Sequence, residues 1–181
     1  MGQLKQLLPL GDKPVIRHCL NSIITAGIQN IVVVLRPQGE DVLAAIQGIP
    51  VQIVFNRDLE SDMAESVRIG LHTIAESSSG VLVSLSDHPL VRVDTFKKLV
   101  HCHLETPDKI LIPLYKGRRG HPSLFPKPVI EEIFAGLNLR DIIYKDPGRI
   151  RLLDVKDEGI VLDIDTREDY KKILDKVMIR S

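Results

Sequence analysis

The feature that most constrains the fold is a series of short, continuously apolar segments rich in β-branched residues. A strand that is apolar at every position must be buried on both faces, as in a parallel sheet covered by helices, whereas a half-exposed strand alternates between apolar and polar residues. Four strands of this kind are predicted, at 31–35, 51–55, 81–85 and 110–114. Strand-like pieces at 150–155 and 160–164 follow them.

Helices are predicted between these strands from apolar periodicity and from residues that favour helix ends. Pro14 in the first turn and Gly27 just past the end bound a helix over 14–26, and a capping Asp94 begins a helix over 94–104. The other predicted helices cover 40–47, 63–76, 127–134 and 167–177. Alternating strands and helices, without a linker rich in Gly, Ser or Pro, predict a single α/β domain over 1–181.

Composition excludes several classes of protein. The 24 Lys and Arg residues balance 24 Asp and Glu residues, which argues against a nucleic-acid partner bound through bulk electrostatics. No apolar run approaches the roughly 20 residues of a membrane span, and the N-terminus has no signal-peptide pattern. Two cysteines, Cys19 and Cys102, are too few for a disulfide framework, so a reduced cytoplasmic location is expected.

A carboxylate follows the third predicted strand directly, in the segment Ser84-Leu85-Ser86-Asp87-His88-Pro89. Ligands of α/β sheets bind at the carboxyl ends of strands, and Mg²⁺ binds through one or two carboxylates together with substrate phosphates. Asp87 is therefore a candidate metal ligand. The alternative is an aspartate that serves only a turn or the beginning of a helix.

Two further carboxylates, Asp163 and Asp165, occupy alternate positions before the last predicted helix. On a strand, alternate side chains point to the same side, so both could join Asp87 around one or two metal ions. The alternative is that Asp165 or Thr166 caps the helix.

Two loops can serve a phosphorylated ligand. In the segment 117–122, glycines allow close approach of the backbone, and Arg119 offers a planar guanidinium for phosphate or carboxylate. The alternative is a basic hairpin turn. Asn56 and the segment 62–66 precede and begin a helix whose N–H groups can bind an anion or a base edge, but an ordinary N-cap explains them better.

Two other polar clusters are explained without chemistry. In His101-Cys102-His103, neighbouring residues of a helix point away from each other, so a metal site is not expected. Cys19 is interpreted as a small buried apolar residue.

Four segments taken together resemble the MobA-like NTP transferases: MGQLKQLLPL (1–10), LSDHPLV (85–91), GRRGHP (117–122) and LDIDTREDY (162–170). They cover essentially the whole chain in the family's order. The RGHP and LLPL runs resemble the molybdenum cofactor cytidylyltransferase type more than the guanylyltransferase type.

The resemblance implies a Rossmann-like, three-layer α/β/α nucleotidyltransferase fold with a mostly parallel sheet. It implies Mg²⁺-dependent transfer of CMP from CTP, favoured over GTP, to molybdopterin cofactor with release of pyrophosphate. The residues that it implies are Lys5 and Asp87 as catalytic groups, with Asp87, Asp163 and Asp165 on the metal, Lys5, Asn56, Met63 and Ser66 on the nucleotide, and Arg119, Gly120 and His121 on the acceptor. A molybdoenzyme or a chaperone is expected as a further partner.

The sequence departs from the family at its beginning and at Asp62. Members of the family begin with a strand and a Gly- and Ser-containing phosphate loop, whereas this sequence begins at the following Met1-Gly2, so an N-terminally truncated domain is expected. The first central strand would lie between the strands at 31–35 and 81–85, and its lack would leave two apolar edges. Asp62 stands where the family usually has glycine, which brings a negative charge towards the nucleotide.

Three hypotheses follow. The first is the cytidylyltransferase described above. The second is a related transferase that acts on another phosphorylated acceptor, such as a sugar phosphate, because one fold supports many acceptors through its loops. The third is an inactive, truncated binding module.

Overall fold

The computed structural model describes residues 4–37 and 39–178, and it has strands and helices in alternation. The predicted segment 1–10 lies partly outside the described residues, at Met1, Gly2 and Gln3. The strands are β1 (Pro9–Leu10), β2 (Lys13–Pro14), β3 (Val32–Leu35), β4 (Gln52–Phe55), β5 (Gly80–Val83), β6 (Ile110–Tyr115), β7 (Arg118–Arg119), β8 (Ser123–Pro126) and β9 (Ile150–Asp154). The α-helices are α1 (Val15–Thr25), α2 (Glu40–Ala45), α3 (Met63–Leu71), α4 (Val93–Glu105), α5 (Lys127–Ile130), α6 (Leu139–Lys145) and α7 (Arg167–Met178). No described helix is long and apolar enough to cross a membrane.

The larger sheet has the order β5-β8-β6-β7, with β9 parallel to β6. Side chains of β6 alternate between two apolar layers: Ile110 and Ile112 pack with α3, α5 and α6, whereas Leu111 packs with α4. Residues of β8 alternate in the same way, with Phe125 in the first layer and Leu124 in the second. The predicted three-layer α/β/α class is therefore confirmed.

The sheet is more mixed than the prediction because β8 was not recognised in the sequence. This strand lies antiparallel between β5 and β6, whereas β6 and β9 are parallel. Prolines at 122, 126 and 128 made the segment read as a loop and a short helix. Helix α6, which begins with a capping box formed by Asn138 and Asp141, was also missed.

Strands β3 and β4 form a separate two-stranded parallel sheet. It packs against α1 and α2 in one apolar cluster that includes Ile16, Leu20 and Leu35. Among the described residues, β3 and β5 belong to different sheets, and no strand is hydrogen-bonded to both.

Two local predictions are wrong. Asp94 does not cap α4: the helix begins at Val93, its N-cap residue Arg92 makes no side-chain cap, and the Arg92 N–H donates to the Asp157 carboxylate instead, at 2.8 Å. The segment 160–164 is not a strand, because a 3-10 turn at Glu158–Val161 precedes an extended segment without a strand partner among the described residues. Its apolar residues Ile160 and Ile164 instead fill two different clusters.

The remaining differences concern element length. Helix α3 ends at Leu71, five residues before its predicted end, and α5 continues as a 3-10 turn over Glu131–Ala135. The chain before α1 contains a 3-10 turn at Lys5–Leu7 and the β1–β2 hairpin. Helix α7 packs its Ile173 against Leu8 and Leu10 beside that hairpin.

Candidate active site

Lys5 joins two carboxylates from distant parts of the chain. Its Nζ atom lies 2.5 Å from Asp87 Oδ2 and 3.0 Å from Asp165 Oδ1. Asp87 follows β5, and Asp165 precedes α7, so this ion-pair cluster lies beyond the carboxyl end of β5. Burial alone would lower the pKa of the Lys5 ammonium, but its bonds to Asp87 and Asp165 outweigh burial and raise that pKa. Lys5 is thus held as a cation.

The Asp87 carboxylate is engaged on both oxygens. Oδ2 accepts from Lys5, and Oδ1 lies 2.9 Å from Nδ1 of His88, a side chain that is 8% exposed. Burial opposes ionisation of this carboxylate, yet the hydrogen bonds from His88 and Lys5 and the charge of Lys5 hold its pKa well below the usual range. Asp87 is therefore a fixed anion.

The backbone also fixes the two loops that carry the acids. The Ile164 N–H donates to the Asp87 carbonyl oxygen at 3.1 Å, which holds the loop after β5 against the segment before α7. Gln6 donates to the Ser86 hydroxyl at 3.2 Å, so the turn that carries Lys5 is fastened to the same loop. These contacts hold together the three segments of the chain that carry Lys5, Asp87 and Asp165.

The two acids of the LDIDTREDY segment separate. Asp165 binds Lys5, whereas the charge of Asp163 acts on His121. The segment is not paired in a sheet, and of the two acids only Asp165 is hydrogen-bonded to Lys5 in the described structure, so a place for Asp163 on the metal stays a prediction. Capping of α7 involves Thr166 and Asp169, which exchange hydrogen bonds.

His121 lies next to His88 in an edge-on ring contact, with 5.4 Å between centroids. Burial and the neighbouring His88 lower the pKa of His121. Its Nδ1 atom is buried and has no hydrogen-bond partner among the residues that the structure describes. His121, which was predicted on the acceptor side, therefore contacts the Asp87 site through His88.

The two residues before His121 have different surroundings. Arg119 is exposed on β7, in a hairpin whose turn at Lys116 and Gly117 has positive φ, so the basic hairpin alternative is observed. Gly120 approaches the protein backbone and not an open site: a Cβ atom there would lie 2.2 Å from the Ile160 carbonyl oxygen. Glycine is required at this position by packing.

The predicted nucleotide-side residues form a structured turn. The Asn56 side chain is 1% exposed and donates to the hydroxyls of Ser61 and Ser66, at 2.8 and 3.0 Å. Asp62 accepts from the Glu65 N–H at 3.0 Å and is the N-cap of α3, which is the ordinary explanation given above. Met63 is 52% exposed beside this turn. Asn56 thus shapes the turn, and a place for Met63 at the nucleotide stays a prediction.

The remaining predicted clusters agree with their simpler explanations. His101 is exposed, whereas Cys102 and His103 are buried, so the three side chains diverge along α4. Cys19 is a buried residue whose thiol pKa is raised by burial and by nearby Asp87 to about 12. Among the described residues, no three or more His, Cys, Asp or Glu side chains converge as a ready-made metal cluster.

His88 is the site residue that sequence reasoning missed. It belongs to the LSDHPLV segment, but no role was inferred for it. Its position directly after a strand-end carboxylate was the available signal, and only the fold shows that its ring binds Asp87 and touches His121.

The site combines groups that can bind a cation with a group that can bind an anion. Two carboxylates and an ammonium converge at a strand end, and a ring nitrogen orients one carboxylate. The oxygens around Lys5 Nζ mark a place that already holds a positive charge, so Asp87 and Asp165 fit a hard divalent cation by donor type.

Comparison with known proteins agrees with this fold. A family model for the MobA-like NTP transferase domain matches residues 1–147. The chain is 28% identical to nicotine blue oxidoreductase of Paenarthrobacter nicotinovorans, over 94% of this chain and 87% of that protein, and 22% identical to the molybdenum cofactor cytidylyltransferase of Escherichia coli, over 94% and 86%.

A solved structure of Rv0371C from Mycobacterium tuberculosis in complex with manganese superimposes with a TM-score of 0.83 at 27% identity, covering 96% of this chain and 93% of that one. Because that family model matches most of the sequence, the chain belongs to the MobA-like NTP transferase family.

Proposed function

We propose that this protein is a Mg²⁺-dependent cytidylyltransferase that moves CMP from CTP to a molybdopterin-type acceptor. The observation that carries the proposal is the Lys5 ammonium held between Asp87 and Asp165 at the end of β5, in a chain of an NTP-transferase family. The likeness to the E. coli cytidylyltransferase supports CTP and the molybdopterin acceptor. The neighbour with manganese supports a divalent metal.

In the proposed site, Asp87 and Asp165 would hold the metal, which would supply positive charge to offset the phosphates. Asp87 suits this role because its low pKa keeps it ionised and His88 fixes the direction of its Oδ1. Asp163 lies near His121, because its negative charge raises the pKa of that ring. We therefore assign Asp163 to the periphery of the metal site.

The ion pairs of Lys5 suggest that this residue offsets negative charge during the reaction. Its ammonium lies on the carboxylates that the metal would share, and a triphosphate would draw it from Asp87 towards phosphate oxygens. A cation in that place offsets charge that grows on the leaving pyrophosphate. Lys5 would therefore lower the barrier without exchanging a proton.

The reaction needs in-line positioning more than acid–base help. An oxygen of the acceptor phosphate attacks the α-phosphorus of CTP, a new P–O bond forms, and the bond from the α-phosphorus to the bridging oxygen breaks to release pyrophosphate. The acceptor phosphate is already ionised, so no general base is required. We assign Arg119 and His121 to the acceptor side, Met63 and Ser66 to the nucleotide side, and Asn56 and Gly120 to support of those two loops.

The test is pyrophosphate release measured with each of the four NTPs, with a molybdopterin-type acceptor and, separately, with sugar phosphates. The proposal predicts release from CTP that requires Mg²⁺ and the molybdopterin-type acceptor and is lost in Asp87→Asn. Release with sugar phosphates alone would favour the second hypothesis, and release by Asp87→Asn at the wild-type rate would contradict the assignment of the metal site.

A further inference from the structure

Two loops meet beside Asp87, one after β5 and one before β8. Strand β8 runs antiparallel to β5, and their register pairs Val83 with Ser123. The chain that leaves β5 and the chain that enters β8 are therefore neighbours at this edge of the sheet. His88 lies on the first loop and His121 on the second, and their rings are in edge-on contact with 5.4 Å between centroids. The register of the sheet thus brings together two histidines that lie far apart in the sequence.

One 3-10 turn, Glu158–Val161, supports both loops. A Cβ atom on Gly159 would lie 2.2 Å from the Leu90 carbonyl oxygen, so the turn packs closely against the first loop. The carbonyl oxygen of Ile160, the next residue of the turn, accepts from the His121 N–H at 2.9 Å. Because Ile160 is fully buried, this support is anchored in the core. The backbones of both histidine loops are therefore held by the same turn.

The His88 ring is directed at Asp87. Its side chain is 8% exposed, and its Nδ1 atom lies 2.9 Å from Asp87 Oδ1. An ionised carboxylate only accepts hydrogen bonds, so Nδ1 of His88 carries the proton in this contact. The other carboxylate oxygen is bonded to Lys5. If the Lys5 ammonium turns towards a phosphate, the His88 ring would still hold the direction of Oδ1.

The His121 ring acts differently from the His88 ring. Its Nδ1 atom is buried and has no hydrogen-bond partner among the described residues, so this nitrogen does not bind Asp87. The ring contact with His88 is what links His121 to the carboxylate. Aromatic rings in edge-to-face contact have a preferred geometry, so His121 restricts the directions that the His88 ring can take. Its influence on Asp87 therefore passes through packing.

We propose that His88 and His121 are positioning residues, in which His121 fixes the His88 ring by packing and His88 fixes the Asp87 carboxylate by donating to Oδ1. The inference rests on the proposed function, in which Asp87 binds the metal, and it gives His121 a second role beside the acceptor. Oδ2 is then the oxygen that a cation would share, while Oδ1 stays on the ring. Hydrogen-bond partners of metal-binding carboxylates typically contribute about 10–100-fold to metal affinity or activity.

The test measures, by calorimetry on the full chain, the Mg²⁺ concentration that gives half-maximal binding of CTP. His88→Ala should raise this concentration about tenfold or more, because the carboxylate is then free to rotate. His88→Asn should recover most of the loss, because its side-chain amide places a donor near the position of Nδ1. His101→Ala, an exposed change in α4, is the matched control and should need the same Mg²⁺ concentration as the wild type.

Two variants of His121 separate ring packing from chemistry at a nitrogen. His121→Phe keeps an aromatic ring and has no ring nitrogen, so it should need less additional Mg²⁺ than His121→Ala. Equal losses in these two variants would overturn the proposal. Equal Mg²⁺ requirements for His88→Ala and the wild type would also overturn it.

A second readout needs neither metal nor nucleotide. Nitrogen NMR of the imidazole rings in the free wild-type protein should show His88 with its proton on Nδ1, and the same tautomer should persist in His121→Phe. A His88 proton on Nε2 alone would overturn the proposal.

The two readouts also separate this inference from the proposed function. CTP binding that needs no Mg²⁺ in the wild type would overturn the proposed function and the metal role of both rings. A Mg²⁺ requirement in the wild type that His88→Ala leaves unchanged would overturn the positioning role alone.

Discussion

The two sheets of this protein use equally apolar sequences in different ways. In the larger sheet, β6 and β8 are buried on both faces, with Ile110, Leu111 and Phe125 almost inaccessible. In the smaller sheet, β3 and β4 are as apolar in sequence, yet only Leu35 of these eight residues is buried. A strand at the centre of a sheet is covered by its neighbours and by helices, whereas a strand with one neighbour beside a cleft is not.

This contrast teaches that an apolar run predicts a strand but not its burial. Burial of β3 and β5 requires a neighbour on each side, and their facing edges have none among the described residues. The larger sheet should therefore contribute more to the free energy of unfolding than the smaller sheet. Matched substitutions in the two sheets can measure this difference.

The largest expected effect is the difference between matched isoleucines of the two sheets. Ile110→Ala deletes a fully buried side chain of β6 and should lower the free energy of unfolding by about 2–5 kcal/mol. Ile53→Ala deletes a half-buried side chain of β4 and should cost about 1 kcal/mol, because less apolar surface returns to water. Urea denaturation measures both, and equal costs would break the comparison.

The second effect concerns the contact between the loop after β9 and the beginning of α4. The buried Asp157 carboxylate accepts from the Arg92 N–H, the Thr95 hydroxyl and the Gly159 N–H. Asp157→Ala leaves these donors without a partner and should cost about 2–3 kcal/mol. The exposed Asp154 is the matched control, and Asp154→Ala should change the free energy of unfolding by about 0.5 kcal/mol or less. A change near zero in the free energy of unfolding for Asp157→Ala would show that the loop after β9 does not stabilise the larger sheet and α4.

The third effect is a pH dependence of the free energy of unfolding that arises from Asp87, after β5. The pKa of folded Asp87 lies below its unfolded value, so the folded state binds fewer protons there, and the stabilisation is present above the unfolded pKa of about 3.9 and is lost as pH falls below it. Asp87→Asn should unfold at a lower urea concentration at neutral pH and lose less stability between about pH 5 and pH 2. Denaturation curves across that range measure the slope. Asp175→Asn, an exposed change in α7, is the control, and a wild-type slope in Asp87→Asn would refute the prediction.

Much of the architecture could be predicted from the sequence, because its signals are local. Apolar runs located β3, β4, β5, β6 and β9, and a proline and a glycine bounded α1. Strand β8 could not be predicted, because its prolines disfavour a strand locally and its pairing with β5 and β6 depends on residues far away in the chain.

The site was predictable in part for the same reason. Asp87 was found from its place after an apolar strand, and Lys5 from a resemblance. The different contacts of Asp163 and Asp165 were not predictable, because they depend on Lys5 and His121, which lie far away in the chain. The ring contact between His88 and His121 joins distant segments and has no sequence signature.

The smallest expected effect separates function from stability. Arg119 is exposed on the two-residue strand β7, so Arg119→Ala should change the free energy of unfolding by about 0.5 kcal/mol or less. If Arg119 binds the acceptor phosphate, the KM for the acceptor should rise while the KM for CTP stays unchanged. Steady-state kinetics with each substrate varied in turn measures this, and an unchanged acceptor KM would remove Arg119 from the acceptor site.

The most direct test of the central claim is calorimetric titration of the chain with CTP and with GTP, each with Mg²⁺ and with a chelator. The account predicts binding of CTP in preference to GTP, dependence on Mg²⁺, and loss of that dependence in Asp87→Asn but not in Asp175→Asn. Binding of CTP that is the same with a chelator, or the same in Asp87→Asn, would contradict the assignment of Lys5, Asp87 and Asp165 as the nucleotide and metal site.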